Sequence, residues 1–297
     1  MSTSTSKKRS FAFYVNYFFV LPALFMYTVF VLIPLLLSVF FSFIHWNGIG
    51  NMKWAGLENY LTIFQVPDLW GTIGNAFELV IFFSFIPVIL GLVTASILQR
   101  IVKGRFGSVA RTIVFLPQII PLVAAGIIWG WLLALPGLVN AVLGLLGLAH
   151  FVRAWLGDFT WALPSVGIIG IWVVLGFCTI LFQTGMSKID PVLYESARID
   201  GVGWFSEFIH ITIPLLKQEI SVCLTVTIIS ALAAFDIIYV TTAGGPGNST
   251  SVPGLQIYIL AFTEQRIGLA SALAVLLMLL VLVIILPIQG LSREAKR

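Results

Sequence analysis

Charged residues are scarce in this chain. Only 9% of its 297 residues are Asp, Glu, Lys or Arg, whereas about a quarter of a typical soluble protein is charged, and 59% are hydrophobic. The mean hydropathy is +1.06. This composition excludes a soluble globular domain and indicates an integral membrane protein.

Several chemical signatures are also absent. The two cysteines, Cys178 and Cys223, lie inside apolar segments without metal or redox spacing. No Gly-Lys pair occurs, so the chain has no nucleotide-binding P-loop, and neither HExxH nor paired carboxylates suggest an enzyme. We therefore predict no catalytic residue, metal or cofactor in this chain, and the net charge of +4 requires no nucleic-acid partner.

Long apolar segments take up most of the sequence. A helix needs about 20 mostly apolar residues to cross a hydrocarbon core of roughly 30 Å. Six segments meet this length, and they predict an all-α polytopic protein: 14–42, 74–99, 110–135, 163–186, 209–241 and 268–290. Lys7, Lys8 and Arg9 precede the first segment, which has no small-x-small cleavage pattern, so we expect it to be an uncleaved anchor.

The positive residues indicate the orientation, because Lys and Arg near span ends are retained in the cytoplasm. Lys53, Arg153 and Arg266 fall on one side of the six-span arrangement. The others fall on the opposite side: Lys7, Lys8, Arg9, Arg100, Lys103, Arg105, Arg111, Lys188, Arg198, Lys217, Arg293, Lys296 and Arg297. We therefore predict cytoplasmic tails at 1–13 and 292–297 around a membrane domain at 14–291, with the loops at 100–111 and 187–208 also cytoplasmic.

Residues 137–152 are apolar enough to suggest a seventh span. The segment is short for a membrane crossing, and a seventh span would move Lys188, Arg198 and Lys217 to the outer side. We interpret it as an interfacial helix on the outer face.

A polar segment with a specific spacing separates the fourth and fifth predicted spans. It reads Glu195-Ser196-Ala197, three residues, Gly201, nine residues, and then Ile211-x-Ile213-Pro214. This segment resembles the EAA loop of ABC-importer permeases, EAA-x3-G-x9-I-x-LP, with Ser for the second residue and Ile for Leu. The resemblance implies a coupling loop at 187–214 whose contact residues with an ATPase are Glu195, Ser196, Ala197, Asp200, Gly201 and Pro214.

Other motifs extend the resemblance along the chain. They are Gly56-Leu57-Glu58-Asn59-Tyr60, Ile199-Asp200-Gly201, and Phe235-Asp236 followed by Thr242-x-Gly244-Gly245-Pro246 and Ser249-Thr250. Together they resemble the maltose-type, carbohydrate and glycerol-3-phosphate branch of the permeases. The resemblance implies a type I importer fold in the cell (inner) membrane, a second similar permease, two copies of an ATPase that hold ATP and Mg, and an extracytoplasmic solute-binding protein. The solute would be a sugar, an oligosaccharide or a polyol-type compound, and its phosphorylation stays open.

The coupling loop also contains local helix signals. Asp190-Pro191 is a typical helix start, and Gly201 with Gly203 supplies a stop. Within this helix, Leu193 and Ala197, together with Val192, Ser196 and Ile199, are expected to share an apolar face that fits a groove. Glu195, Arg198 and Asp200 would offer charged contacts.

A polar solute needs small or polar side chains inside the bundle. The fifth predicted span carries Thr227, Ser230, Ala231 and Ala234 at helical spacing, followed by Asp236 and Tyr239. The fourth offers Gly170, Val174 and Phe177. Small residues opposite an aromatic ring could accommodate a sugar and stack on it, but a stripe of small residues also fits a packing seam between helices. Both interpretations stay open, and Asp236 could be functional or structural.

Three other classes of protein fit the sequence less well. A secondary transporter would need ionisable residues at mid-membrane, where the chain offers only the off-centre Asp236, and a membrane-embedded enzyme would need a catalytic constellation. A channel subunit would leave the coupling loop unexplained. An importer permease is therefore the preferred hypothesis, with a self-contained secondary transporter as the alternative.

Overall fold

Within residues 19–100 and 104–294, which the computed structural model describes, the protein is helical apart from one short hairpin. In chain order the elements are α1 (Phe19–Ser42), β1 (Ile44–His45), β2 (Lys53–Trp54), α2 (Glu58–Gln65), α3 (Pro67–Arg100), α4 (Gly104–Ile119), α5 (Leu122–Leu132), α6 (Leu138–Leu145), α7 (Ala162–Met186), α8 (Pro191–Ile199), α9 (Trp204–Leu215), α10 (Lys217–Leu232), α11 (Asp236–Thr241), α12 (Pro253–Thr263) and α13 (Ile267–Glu294). The predicted tail 1–13, the start of the first span and the positive residues Lys7, Lys8, Arg9, Lys103, Lys296 and Arg297 lie outside the described residues.

Among the described residues, up to six helical segments are long and apolar enough to cross a membrane, if each bent helix pair counts as one. Helices α1, α3, α7 and α13 are each long and apolar enough to cross a bilayer. Helices α4 and α5 meet at 99°, and α9 and α10 meet at 74°. The predicted third segment, 110–135, is therefore not one continuous helix. Pro121 causes this break, because it leaves the helical conformation at ψ 137° and has no N–H to continue the ladder.

The fifth predicted segment, 209–241, needs a larger correction. Its helix bends at Leu216 and ends at Leu232. Phe235, with φ −139° and ψ −59°, separates it from α11, which begins at Asp236. A carboxylate in the first turn favours this new start, because helix N-termini carry partial positive charge. Asp236 therefore lies beyond the end of the span and not within it.

Three helices contain a widened, π-helical turn immediately before an Ile-Pro pair. The N–H groups of Ile33, Ile86 and Ile213 each donate to the carbonyl five residues earlier instead of four. The following prolines, Pro34 and Pro87 among them, have no N–H, and their rings would clash with the carbonyl of the preceding turn. Widening the turn keeps the helix continuous through each proline.

Helix α7 lies at the centre of the bundle and packs on α3, α4 and α10. Glycines make this close packing possible. A Cβ atom at Gly167 would collide with the Phe82 ring, and one at Gly170 would collide with the Phe83 ring. A Cβ atom at Gly91 would lie 2.6 Å from Cβ of Cys178. Glycines on both helices therefore let α7 and α3 approach closely: Gly167 and Gly170 admit rings from α3, and Gly91 of α3 admits Cys178 of α7.

The predicted interfacial segment is a short helix, α6, followed by a single 3₁₀ turn, and it is too short to span a bilayer. Buried Asn140 anchors it by donating to three backbone carbonyls and by accepting from the Trp155 indole at 2.9 Å. Farther along this loop, the N–H groups of Thr160 and Trp161 donate to Asp158 and lower the pKa of its carboxyl below the usual value.

Candidate functional site

The polar segment between the fourth and fifth spans forms the helix that its sequence predicts. The carboxylate of Asp190 caps α8 by accepting from the N–H of Val192 at 3.0 Å. At the other end, Gly201 has φ +75°, a left-handed conformation that favours glycine. The N–H of Val202 donates to Ala197 O at 2.9 Å, which closes the last turn. The predicted start and stop of this helix are confirmed.

The prediction of a single apolar face on α8 is wrong. Its apolar side chains divide between a surface packed on the rest of the protein and a surface exposed to solvent. Ala197, 8% exposed, faces the rest of the protein and is the one residue of α8 that is buried. Val192 and Ile199 are 61% and 87% exposed, and Leu193 is also exposed. At 100° per residue, Ala197 lies about 140° from Val192 and about 160° from Ile199 around the helix axis. Leu193, one turn before Ala197, lies on the same side as Ala197 and is still exposed.

The other predicted contact residues of the coupling loop also lie at the surface. Glu195, Ser196 and Asp200 on and after α8 are exposed, as is Gly201. Pro214 is exposed too, directly after the π-helical turn of α9. Most of the motif is therefore accessible to solvent in this chain.

A cleft of about 520 Å³ separates α8 from the ends of α3 and α7 and from α9. Polar side chains line it, including Glu195, Arg198 and Gln99. Hydrogen bonds cross it: Trp204 Nε1 donates to Ser96 Oγ at 3.1 Å, and the hydroxyls of Tyr194 and Thr212 lie 3.2 Å apart. The first bond joins α9 to α3, and the second joins α8 to α9.

Glu207 is the central residue of this cleft, and it is not predicted from the sequence. Its side chain is 7% exposed, and its Oε2 lies 3.5 Å from Nη1 of Arg100 and 4.0 Å from Nε of Arg198. A usable signal existed, because Glu207 is the single acidic residue between Asp200 and Glu219 and stands in an otherwise apolar run. The spacing could not identify its partners, since Arg100 is 107 residues away.

Four of the proposed pathway residues lie inside the packed core of this chain. Thr227 is buried, and its hydroxyl lies 2.6 Å from that of Ser84 on α3. Ala231 and Ala234 are buried as well, and Gly170 accommodates the Phe83 ring. In the isolated chain these residues make helix packing contacts.

The remaining pathway candidates are more accessible. Ser230 and Asp236 are exposed, whereas Val174 and Phe177 are half-buried. Tyr239, 46% exposed, belongs to an aromatic cluster made of Phe235, Tyr239, Tyr258 and Phe262. The Tyr239 ring centroid lies 5.3 Å from that of Phe235 and 5.5 Å from that of Tyr258. Among the residues that the structure describes, no group of three His, Cys, Asp or Glu side chains could hold a metal ion.

Comparison with known proteins identifies the family. Residues 87–293 match the family described as binding-protein-dependent transport system inner membrane component. The trehalose/maltose transport system permease protein MalF of Thermococcus litoralis is 35% identical over 94% of this chain and 93% of its own length. The lactose transport system permease protein LacF of Rhizobium radiobacter is 34% identical over 88% of each chain.

A solved structure has the same fold. It is a chain of a bacterial ABC transporter involved in the import of the acidic polysaccharide alginate, with a TM-score of 0.84 and 23% identity, covering 98% of this chain and 99% of that one. This chain therefore belongs to the family of binding-protein-dependent ABC-importer permeases and is a multi-pass transport subunit, not an enzyme.

Proposed function

We propose that this chain forms half of the translocation pathway of an importer for a sugar or oligosaccharide, and that α8 couples it to a cytoplasmic ATPase. The relatives named for trehalose/maltose and for lactose support the class of solute. ATP and Mg belong to the ATPase, since this chain has no Gly-Lys pair for a P-loop. The importer resides in the cell (inner) membrane with both termini of this chain in the cytoplasm.

The observation that carries the coupling role is the outward face of α8. Val192 and Ile199 expose large apolar side chains on a helix with a positively charged flank, where no bilayer is expected to cover them. Exposed apolar side chains rimmed by polar residues are typical of protein interaction sites. The ATPase would cover Val192 and Ile199 and pair with the polar side chains of Glu195 and Asp200.

A second permease is expected to cover surfaces that this chain leaves open. The most apolar stretch of α1 has no buried residue, and α1 packs mainly on α13. Ser230, Asp236 and Tyr239 are accessible in this chain and would face the solute where the two permeases meet. Aromatic rings such as that of Tyr239 offer a flat apolar face to a sugar and a hydroxyl to its polar groups.

The outer loops at 45–73 and 243–267 would receive the solute-binding protein. Both are held firmly on the bundle. Asn59 donates to the carbonyls of Ser42 and Ile44, and Asn75 on α3 donates to Ser251 O at 2.8 Å. Rigid outer loops are suited to dock a partner without a large ordering cost.

Copurification tests the coupling role directly. The tagged chain, expressed with its importer partners, is extracted in detergent as wild type, Gly201→Asp and Gly203→Asp, and the associated chains are identified by mass spectrometry. Both substitutions add the same charge to an exposed glycine with nothing within 4 Å of the new Cβ atom. They differ in backbone conformation, because Gly201 has φ +75° and Gly203 has φ −73° at the start of α9.

The proposal predicts that wild type and Gly203→Asp bring down a second permease and an ATPase, and that Gly201→Asp loses the ATPase. Asp is a favourable residue at a helix start, which makes Gly203→Asp a suitable control. If all three forms purify alone, the coupling role fails, and a self-contained secondary transporter becomes the better hypothesis.

A further inference from the structure

Helix α8 is attached to the rest of the chain mainly by polar contacts. Ala197 is its one buried residue, and the cleft of about 520 Å³ lies beside it. Apolar packing of so few side chains cannot hold a short helix in one orientation. The orientation of α8 must therefore depend on its ionic and hydrogen-bonded contacts.

Glu207 is the centre of these contacts. Its carboxylate, 7% exposed, joins Arg198 on α8 to Arg100, the last residue of α3. Glu207 itself lies on α9, which continues through the bend at Leu216 into α10. One buried side chain thus connects the helix that faces the ATPase to the second and fifth spans.

The electrostatics of this arrangement favour a firm link. A carboxylate taken out of water is costly unless opposite charges compensate it, and removing its partner leaves an uncompensated buried charge. Arg100 and Arg198 are 37% and 55% exposed, so each gives up only part of its hydration to pair with Glu207. The Glu207 carboxylate lies 3.5 Å from Arg100 and 4.0 Å from Arg198. Because Coulomb attraction falls gradually with distance, small displacements of α8 do not abolish either ion pair.

We propose that Glu207 is the positioning residue through which movement of α8 reaches α3 and α10. The inference rests on the proposed function, because it assumes that an ATPase moves α8. Glu207 acts through Arg198 and Arg100 and touches neither ATP nor the solute. Without its charge, α8 still docks on the ATPase but moves the spans much less.

The test uses the complete importer in lipid nanodiscs. ATP hydrolysis is measured alone and with saturating purified solute-binding protein, for wild type and Glu207→Gln. Stimulation by a protein on the outer face must pass through the permease, so it reports transmission. Basal hydrolysis and copurification of the ATPase report docking. Glu207→Gln is expected to keep both docking readouts and to lose about five- to tenfold in stimulation.

A matched control comes from a second ion pair on the same face. Glu219 lies 3.3 Å from Lys188 and has a side chain 16% exposed, but it does not connect to α8. Glu219→Gln is expected to keep the wild-type stimulation within about twofold, as for a partly exposed pair. Equal losses of stimulation in Glu219→Gln and Glu207→Gln would overturn the inference. They would show that removing any carboxylate charge at this face reduces stimulation, whether or not it contacts α8.

Two further variants distinguish a link from a local structural role. Arg198→Gln removes the ion pair between α8 and Glu207. Because the Arg198 side chain is half exposed, this variant should fold and tests the proposal even if Glu207→Gln fails to fold. The losses of stimulation caused by Arg198→Gln and by Glu207→Gln should not add in the double variant, because both substitutions break the same ion pair. Independent, additive losses would overturn the inference.

The remaining outcomes separate the two proposals. Unchanged stimulation in Glu207→Gln, or loss of the ATPase from that complex, overturns the role of Glu207 and leaves the coupling role of α8 intact. If the wild-type chain carries no ATPase, or if its ATPase ignores the binding protein, the proposed function itself fails.

Discussion

Helix α8 and the small-residue stripe of α10 look alike in sequence, since both carry Ala, Ser and Thr or Ile at helical spacing. In the structure they are opposites. Helix α8 buries only Ala197 and exposes Val192 and Ile199. The stripe on α10 buries Thr227 and Ala231 against the neighbouring helices. The stripe on α10 thus serves internal packing, whereas the exposed face of α8 is free to meet a partner protein, as the proposed function requires.

The largest effect is expected at the close packing contact between α7 and α3. A Cβ atom at Gly170 would collide with the Phe83 ring. Gly170→Val should therefore destabilise the fold by about 3 kcal/mol or more, because a packed core absorbs added volume poorly. Fluorescence-detected size-exclusion chromatography in detergent should show most of the monodisperse protein lost.

Gly130→Val is the matched control, since Gly130 is also helical and has nothing within 4 Å of a new Cβ atom. We expect it to elute as wild type does. Equal recovery of both variants would mean that the seam around Gly170 is loose enough to admit a solute.

The next largest effect concerns the outward face of α8. Ile199→Asp should reduce the recovered ATPase about tenfold or more, because an apolar contact at the centre of an interface is replaced by a charge. The folded chain should keep its melting temperature, since Ile199 is 87% exposed. Copurification and a thermal melt check both parts.

Ile49→Asp serves as the control for that change. Ile49 is 75% exposed in the loop between β1 and β2, on the predicted outer side. If it lost the ATPase to the same extent as Ile199→Asp, the effect would not be local to α8.

A smaller effect is expected at the aromatic cluster. Tyr239→Ala removes an accessible ring that stacks at 5.3 Å on Phe235, and sugar uptake into proteoliposomes should fall about fivefold, as for the loss of one aromatic contact. Tyr239→Phe keeps the ring and should retain more than half of the uptake. If Tyr239→Ala takes up sugar at the wild-type rate, Tyr239 does not contact the solute.

The smallest effect sharpens the assignment of Thr227. Thr227→Val removes its hydrogen bond to Ser84 at nearly constant volume and should cost about 1 kcal/mol of stability. The melting temperature in detergent should fall by a few degrees. Thr184→Val is the control, because the Thr184 hydroxyl is exposed and bonds only within its own helix. A loss of uptake with an unchanged melting temperature would instead place Thr227 in the pathway.

Local signals made part of this structure predictable. Asp190-Pro191 and Gly201 mark the ends of α8 because capping and left-handed glycine are properties of a few neighbouring residues. The six apolar segments follow from the thickness of the bilayer. Pro121 is a local signal for a kink, although it does not show that the bend reaches 99°. The bend at Leu216 was not predicted, since apolar composition alone does not show where a span changes direction.

The candidate site was predictable to a lesser degree. The motif identified α8, but the side of α8 that faces the bundle depends on tertiary contacts, so Ala197 was grouped with outward residues. Glu207 and its pairing with Arg100 depend on how α3 and α9 meet in space. The stripe at Thr227 and Ala231 was ambiguous for the same reason, because pathways and seams use the same small side chains.

Cross-linking in native membranes shows whether the ATPase docks on the outward face of α8. A benzophenone probe is attached to Ser196→Cys, and in a parallel sample to Ile49→Cys; Cys178 and Cys223 are buried and should not react. After illumination, mass spectrometry identifies the attached chains. If the ATPase docks on α8, an ATPase adduct forms from position 196 and none forms from position 49. Absence of an ATPase adduct at position 196 in an importer that still hydrolyses ATP would contradict this docking.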